Sequence, residues 1–380
     1  MHPTGAPVSS WFTVEDYEQE VNKTARWTSD IKPGMMVLNR FPYSFAVPPF
    51  IIELKCRRDG GIIVPIGSLS LNVTYPRTLE VIKRLKVEAI GCLPNELIFL
   101  EMVAEKCGYD LKKDLGSVKH LLVSGAIISP IMKEYIESRW GVSVKSVYGS
   151  TETGGIASTC NYNNHHIHKD NLILEILNPV TKEHVLPGEK GVLVVTSYSR
   201  KASPLFRYYT NDICRISNEP CPCGASEPII QVLGRMDDLI TLGDKSVYPN
   251  FLEESILEFS KQFNSVVYFV IVTKRRLHIR IETHNDCKKH TDASLKELQE
   301  KLDVPIKVHI CKKGELLDVD FLLRSPEVYK PVTISDWRKT SSRSVIITEA
   351  LIKWQDVSFR EFLDMLRRLF KNIFHKITLK

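Results

Sequence analysis

The sequence predicts an α/β protein: a large mixed-sheet N-terminal domain over residues 1–234, a small α+β C-terminal domain over residues 235–345, and a helical extension over residues 346–380. Three observations predict it. Apolar runs of strand length alternate with helical stretches as far as Leu233. From Arg235 the alternation gives way to a compact mixture of helix, hairpin and strand, and from Ser358 an amphipathic helical pattern runs on alone. Alternating strand and helix marks a sheet covered by crossing helices, whereas helices set apart from hairpins mark an α+β unit.

Met35–Asn39, Gly61–Pro65, Val118–Ser124 and Gly191–Ser197 read as strands, and Tyr75–Val87 and Glu96–Lys106 as helices. Ser129 supplies an N-cap for a helix running from Pro130 to about Gly141, and Val142–Val147 reads as the next strand. In the second part, Phe251–Phe259 and Ser294–Leu302 read as helices, Val266–Thr273 with Leu277–Glu282 as a hairpin, and Ile306–Ile310 as a strand. No internal repeat and no low-complexity segment interrupts the chain.

Composition bounds the function classes. The 380 residues are 43% hydrophobic, enough chain for a large core and about two domains. Lys plus Arg is 51 against 45 for Asp plus Glu, a net charge of +6 that suits anionic nucleotides or carrier proteins and does not call for nucleic acid. No apolar run reaches the roughly 18 residues of a membrane span, and the N-terminus lacks a basic-then-apolar signal. Nine cysteines, an odd number without a signal, fit reduced thiols or metal in the cytoplasm rather than a disulfide framework.

The chemistry concentrates in Tyr148-Gly149-Ser150-Thr151-Glu152. The βαβ pattern before it places this turn beyond a strand's carboxyl end, where open α/β sheets bind ligands. Its short hydroxyls and Gly149 let backbone approach a phosphate, and Glu152 can hold a cation; a turn carrying Gly, Ser and Thr for conformation alone is the competing reading. Downstream lie Arg207-Tyr208-Tyr209-Thr210-Asn211-Asp212, Cys221-Pro222-Cys223-Gly224, Gly234-Arg235-Met236-Asp237-Asp238-Leu239-Ile240, Gly243 and Tyr248-Pro249.

In order and spacing these motifs resemble those of the adenylate-forming superfamily of acyl-CoA ligases and carrier-loading adenylation domains, and most closely its phenylacetate–CoA ligase-like branch. The resemblance covers residues 1–330. It implies an ATP- and Mg²⁺-dependent ligase in which a carboxylic acid attacks the α-phosphate, expels pyrophosphate and leaves an acyl-adenylate. The acyl group then passes to a phosphopantetheine thiol of a carrier protein, or alternatively to free coenzyme A. Nucleotide-binding positions implied here are Thr4, Gly5, Ser124, Gly125, Ala126, Tyr148, Gly149, Ser150, Thr151, Asp212 and Arg235. A carboxylate such as Asp212 can accept from both ribose hydroxyls, and Glu152 suits Mg²⁺, which favours one or two carboxylates plus phosphate oxygens. The resemblance makes the two domains joined by a hinge, with Asp237 as the hinge residue. It gives catalytic roles to Glu152, Arg235 and a lysine near the end of the small domain, for which Lys330 stands at about the right place and Lys312, Lys313 and Lys339 compete.

Three segments depart from the pattern, the first being Ser325–Pro331 around Lys330, whose neighbours differ from the family's, so that a solvated surface lysine is the competing reading. The family's phosphate loop, Ser-Gly-Thr-Thr-Gly-x-Pro, is represented only by Thr4-Gly5-Ala6-Pro7, so either its first part is missing or the sequence begins inside it. Beyond Ser344 the chain continues past the family's usual end. Ser358–Glu361 fits the pattern of a capping box, followed by an expected face of Phe359, Phe362, Leu363, Leu366, Phe370 and Ile373 opposite Arg367, Arg368 and Lys371; a helix docked on the small domain and a basic helix for a membrane or acidic partner both fit.

Cys160, His166, Cys221 and Cys223 are the soft and borderline donors that a tetrahedral structural zinc prefers, with His165 and His168 as substitutes and Cys214 as a core thiol. Thiols packed as small hydrophobes are the competing reading. Phe41-Pro42-Tyr43-Ser44-Phe45 resembles the upstream wall of the acid pocket and suits an aryl acid, as in dihydroxybenzoate-activating enzymes of siderophore and secondary-metabolite pathways; ordinary core aromatics explain it equally well. A zinc-braced protein without adenylation, acting as an acyltransferase or binding partner, is the reading from a different class.

Overall fold

The computed structural model describes residues 9–44, 46–68, 73–168, 171–284, 292–317, 319–324 and 333–338. Thr4, Gly5, Phe45, Lys330, Lys339 and the 346–380 extension lie outside these residues. The chain divides into two compact units, residues 1–237 with 320–329, and residues 238–319 with 330–380.

An eleven-stranded mixed sheet, in the order β2-β1-β3-β4-β5-β6-β7-β11-β10-β9-β8, carries the first unit. Its parallel part comprises β1 (Met36–Asn39), β2 (Ile62–Pro65), β3 (Ala89–Cys92), β4 (His120–Val123) and β5 (Ser143–Ser150). Helix α1 (Val14–Lys23) precedes them, and α2 (Pro48–Arg58), α3 (Tyr75–Leu85), α4 (Pro94–Lys106) and α5 (Pro130–Trp140) make the crossovers that parallel strands require. From β5 onward the pairing is antiparallel through β6 (Gly154–Thr159), β7 (His165–Ile167), β8 (Leu172–Leu177), β9 (Lys190–Ser197), β10 (Leu205–Ser217) and β11 (Ile229–Arg235).

The caps explain the helix limits. Ser129 Oγ accepts from the Met132 amide at 3.2 Å, Pro130 occupies the first turn of α5, and Gly141 ends it at φ +70°. Thr13 and Asp16 form a reciprocal box at the start of α1, with bonds of 2.8 and 3.1 Å. That helix went unread in the sequence although Thr13-x-x-Asp16 carries its signature.

Most boundaries shift by one or two residues from the sequence reading, and two of the shifts bear on the motif turn. Strand β4 starts at His120 rather than Val118, because the Val118 amide is turned back onto Leu115 O. Strand β5 runs through Ser150, so Tyr148-Gly149-Ser150 is strand and only the residues after it turn. Gly149 makes this possible: a Cβ there would sit 2.1 Å from Gly154 O across the hairpin.

Strand order reverses between β1 and β3, the switch point at which doubly wound sheets open a crevice. Here a buried ion pair occupies it. Arg40, whose amide bonds Gly91 O of β3, meets Glu96 of α4 at 2.5 Å and Thr78 Oγ1 at 2.8 Å, and lies over the Tyr75 ring. Burial pushes Glu96 up, against the pull of Arg40. Phe41 is 1% exposed and meets Trp27 edge-on, so it belongs to the core rather than to a pocket wall. Tyr43 is half-buried and donates to Glu53 Oε2 at 3.2 Å.

In the second unit β12 (Ile240–Leu242) and β13 (Lys245–Val247) pair as a hairpin. Helix α6 (Pro249–Ser260) follows, then a four-stranded sheet in the order β16-β15-β14-β17. Its strands are β14 (Tyr268–Val272), β15 (Leu277–Glu282), β16 (Ile306–Cys311) and β17 (Ile334–Asp336), with helix α7 (Asp292–Leu302) between β15 and β16. Only β14 and β15 run antiparallel, as the hairpin reading expects; both β16 and β17 join in parallel.

Candidate functional site

Three strands of the first unit bring the motif residues together. Tyr148 on β5 is buried, and its hydroxyl donates to Asp212 Oδ2 on β10 at 2.6 Å. Asp212 faces Arg235 across the β10–β11 ladder, with Arg235 Nε 3.6 Å from Asp212 Oδ1 and Arg235 Nη2 donating to Thr210 O at 3.3 Å. Strand β10 reaches this geometry through two breaks in its pairing with β9, between Leu205 and Tyr208 and between Tyr209 and Ile213, with Arg207 and Asn211 at positive φ. Such irregularities re-aim side chains that a regular strand would point elsewhere.

Electrostatics follow from this crowding. Burial, then the Cys214 thiol and the Asp212 carboxylate, push the Tyr148 phenol well above its ordinary value, so it stays a donor. Burial and the Glu152 charge raise Tyr208, while Arg235 opposes them. Cys214 is wholly buried in the core of the antiparallel part, as expected, and burial pushes its thiol up.

Ser150 and Thr153 fix the tip of the turn by bonding each other's amides at 3.1 and 3.2 Å, which leaves Gly149, Ser150 and Thr151 exposed and Glu152 half-buried. Ser124, Gly125 and Ala126 leave β4 alongside, since Val123 of β4 pairs with Ser146 of β5; Ser124 is buried, whereas Gly125 at φ +83° and Ala126 are exposed. Asp237 lies in a 3-10 turn, Met236–Asp238, and accepts from Asn211 Nδ2 at 3.1 Å. Lys312 and Lys313 are both exposed.

Residues without a motif support the turn from beneath. Glu20 of α1 is 4% exposed and accepts from the Gly155 amide at 2.9 Å, and Arg200 donates to the Glu152 carbonyl. Gly154 is held at φ +68°, and any Cβ there would strike the Glu20 carboxylate. Neither Glu20 nor Arg200 carries a sequence signal beyond the capping box at the start of α1.

A second cluster is assembled from β6, β7 and the β10–β11 loop. One donor atom each from Cys160, His166, Cys221 and Cys223 lies within 4.8 Å of the others. The two thiols of Cys160 and Cys221 are 3.8 Å apart, and Cys223 Sγ is 3.3 Å from His166 Nε2. A tetrahedron with Zn–S bonds of about 2.3 Å has an S···S edge of about 3.8 Å, so the donor set fits zinc. His166 Nδ1–H donates to Glu227 O at 2.9 Å, which leaves the Nε2 lone pair for a metal, and Asn164 donates to Cys221 Sγ at 3.3 Å. That bond from Asn164, followed by the Cys223 amide, draws the Cys221 thiol down to about 6. His165 and His168 are taken by Ser146 and Ser158 at 3.0 Å and stand outside the cluster.

Residues 7–202, more than half of the chain, match the AMP-binding enzyme family. The chain belongs to that family. It falls in the phenylacetate–CoA ligase-like branch of the adenylate-forming superfamily. It is 26% identical over 280 residues to a phenylacetate-coenzyme A ligase of Thermus thermophilus, covering 72% of this chain and 61% of that one. It is 31% identical over 264 residues to the phenylacetate-coenzyme A ligase of Escherichia coli, covering 67% and 58%. Among solved structures, 2-hydroxyisobutyryl-CoA ligase in the postadenylation state with 2-HIB-AMP superposes with a TM-score of 0.72 at 19% identity, covering 90% of this chain and 73% of that one. The fold is therefore that of adenylate-forming enzymes, and the chain spans about three fifths of the length of these two relatives. Among the described residues no helix is long and apolar enough to cross a membrane.

Proposed function

We propose that this protein activates a carboxylic acid with ATP, releasing pyrophosphate and forming an acyl-adenylate, and then passes the acyl group to the thiol of coenzyme A. The Asp212 carboxylate, set between the Tyr148 hydroxyl and the Arg235 guanidinium in a chain of the AMP-binding family, carries this reading. With one oxygen already engaged by Tyr148, the remaining acceptor capacity of Asp212 would hold the ribose hydroxyls. Arg235 would steady that carboxylate, and Gly149, Ser150 and Thr151, exposed at the end of β5, would present hydroxyls and backbone to the phosphates. Glu152 would hold Mg²⁺, which when bound neutralises charge on the phosphate oxygens. Lys330 would supply a point charge to the α-phosphate during adenylation, and Asp237 would serve as the hinge.

Coenzyme A takes precedence over a carrier protein because the relatives named above are coenzyme A ligases. With Phe41 in the core, the support left for an aryl acid as the proposed substrate class is that the two relatives are phenylacetate-coenzyme A ligases. Cys160, His166, Cys221 and Cys223 would hold one structural zinc that braces β6 and β7 against the β10–β11 loop. The test is acid-dependent ATP–pyrophosphate exchange across aryl and alkyl acids, followed by thioester formation with coenzyme A and with a phosphopantetheinylated carrier. Exchange with one acid and thioester on coenzyme A is the expected result; silence with every acid would favour the non-adenylating protein.

A further inference from the structure

We propose that Arg200 is a positioning residue for the turn that carries Glu152, fixing that turn's backbone so that the carboxylate is presented in one place. The proposal rests on the adenylating reading of Glu152. Arg200 lies between β9 and β10 and is 6% exposed. Its Nη1 donates to the Glu152 carbonyl, its Nη2 donates to Ser10 Oγ at 2.7 Å, and its guanidinium carbon stands 3.8 Å from the centroid of the Phe12 ring. A planar fork stacked on an aromatic face is a rigid support, because the stacking and the bonds together leave it a single orientation.

The support is itself braced. Asp16 accepts from the Lys201 amide at 2.7 Å and the Ala202 amide at 3.1 Å, the residues that follow Arg200, and Trp11 N donates to Ser203 Oγ at 2.9 Å. The segment around Arg200 is thereby tied to the chain leading into α1. That same helix sends Glu20 to the Gly155 amide, so the turn is held at Glu152 by a cation and at Gly155 by an anion. Within the motif itself, Ser150 and Thr153 bond each other, and Thr153 Oγ1 donates to the Gly154 carbonyl at 3.0 Å; the bond to the Glu152 backbone is the one from Arg200. Burial pulls Arg200 below its ordinary value, and the nearby charges of Glu20, Asp16 and Glu152 oppose that pull.

The test compares Arg200→Met and Arg200→Lys with Thr74→Ala, which uncaps α3 and serves as a control for general destabilisation. Amide hydrogen exchange reads the turn directly, through the amides of Ser150, Thr153 and Gly155. Arg200→Met is expected to speed exchange at these amides at least tenfold while β4 and the first part of β5 stay as in the wild type. It should also raise, several-fold, the Mg²⁺ concentration needed for half-maximal acid-dependent pyrophosphate exchange, with Arg200→Lys intermediate. Turn amides that exchange no faster than in Thr74→Ala, or a Mg²⁺ requirement unmoved in Arg200→Met, would overturn the proposal. If the wild type gives no pyrophosphate exchange with any acid, the adenylating reading falls, and turn exchange alone decides whether Arg200 holds the backbone.

Discussion

Zinc should raise the melting temperature of this protein in proportion to the logarithm of its free concentration. The cluster of Cys160, His166, Cys221 and Cys223 is assembled in the fold, with an S···S distance of 3.8 Å and the His166 tautomer set by Glu227 O. Binding to such a preformed site stabilises the native state by RT ln(1 + [Zn]/Kd), about 1.4 kcal/mol for each tenfold rise above Kd and about 4 kcal/mol at a thousandfold excess. Cys160 and Cys221 lie 61 residues apart in sequence and His166 and Cys223 57 apart, so the metal would tie distant parts of the sheet and its effect should reach the whole unit. For a unit of 150–250 residues, 1 kcal/mol moves Tm by roughly 2–4 °C, so each tenfold step in buffered zinc should add roughly 3–6 °C. The assay is calorimetry across a buffered zinc series, with metal content by mass spectrometry. Cys221→Ser with Cys223→Ser should flatten the series and remove the metal. A wild type that melts at one temperature across the series, with far less than one zinc per chain after growth in zinc-replete medium, would refute the reasoning and leave the thiols as packing.

Asp212→Ala should lower pyrophosphate exchange at subsaturating ATP by roughly a hundredfold to ten-thousandfold, because two charge-assisted hydrogen bonds of about 1.5–3 kcal/mol each would be lost; an unchanged rate at low and saturating ATP would remove Asp212 from the ribose site. Asp237→Pro should impair thioester formation more than adenylation, since proline fixes φ at the proposed hinge, and equal losses measured in the two half-reactions would make this position a linker only. Burial tends to raise Asp16, but amide bonds from Lys201, Thr13 and Ala202 outweigh it and hold its folded value below 3.8. A depressed carboxyl adds stability above its unfolded value that is lost as pH falls through the folded one. Wild-type Tm should therefore fall more steeply below about pH 4 than that of Asp16→Asn, and parallel curves in an acid melting series would contradict the assignment.

What was legible in the sequence is what is local. Ser129, Pro130 and Gly141 predict α5 to within a residue because caps act over one turn. Tyr148, Asp212 and Arg235 were legible as motifs, yet nothing in them announces that a phenol on β5 would bond a carboxylate on β10, a contact spanning 64 residues. The four metal-type ligands were legible because thiol and imidazole chemistry narrows the choice, and the two rival histidines were separated from them only by three-dimensional placement beside Ser146 and Ser158. Phe41 shows the opposite limit: an aromatic run reads the same whether it lines a pocket or fills a core, and only contact with Trp27 decides.

The supports of the Glu152 turn were illegible for a physical reason. A motif records residues that touch a ligand, whereas a brace has only to reach a backbone atom, and a backbone atom constrains nothing about its partner's neighbours in sequence. Glu20 meets Gly155 across 135 residues, and Arg200 meets Glu152 across 48. The glycines keep the one trace of this arrangement. Gly154 must be glycine both for its φ of +68° and because the Glu20 carboxylate occupies the space of a Cβ, and Gly155 because Thr24 Cγ2 would lie 2.6 Å away. Gly154 and Gly155, just after the turn, therefore mark how closely α1 approaches it. The backbone of the turn that carries Glu152 is thus held from outside its motif, by Glu20 of α1 at Gly155 and by Arg200 at the Glu152 carbonyl.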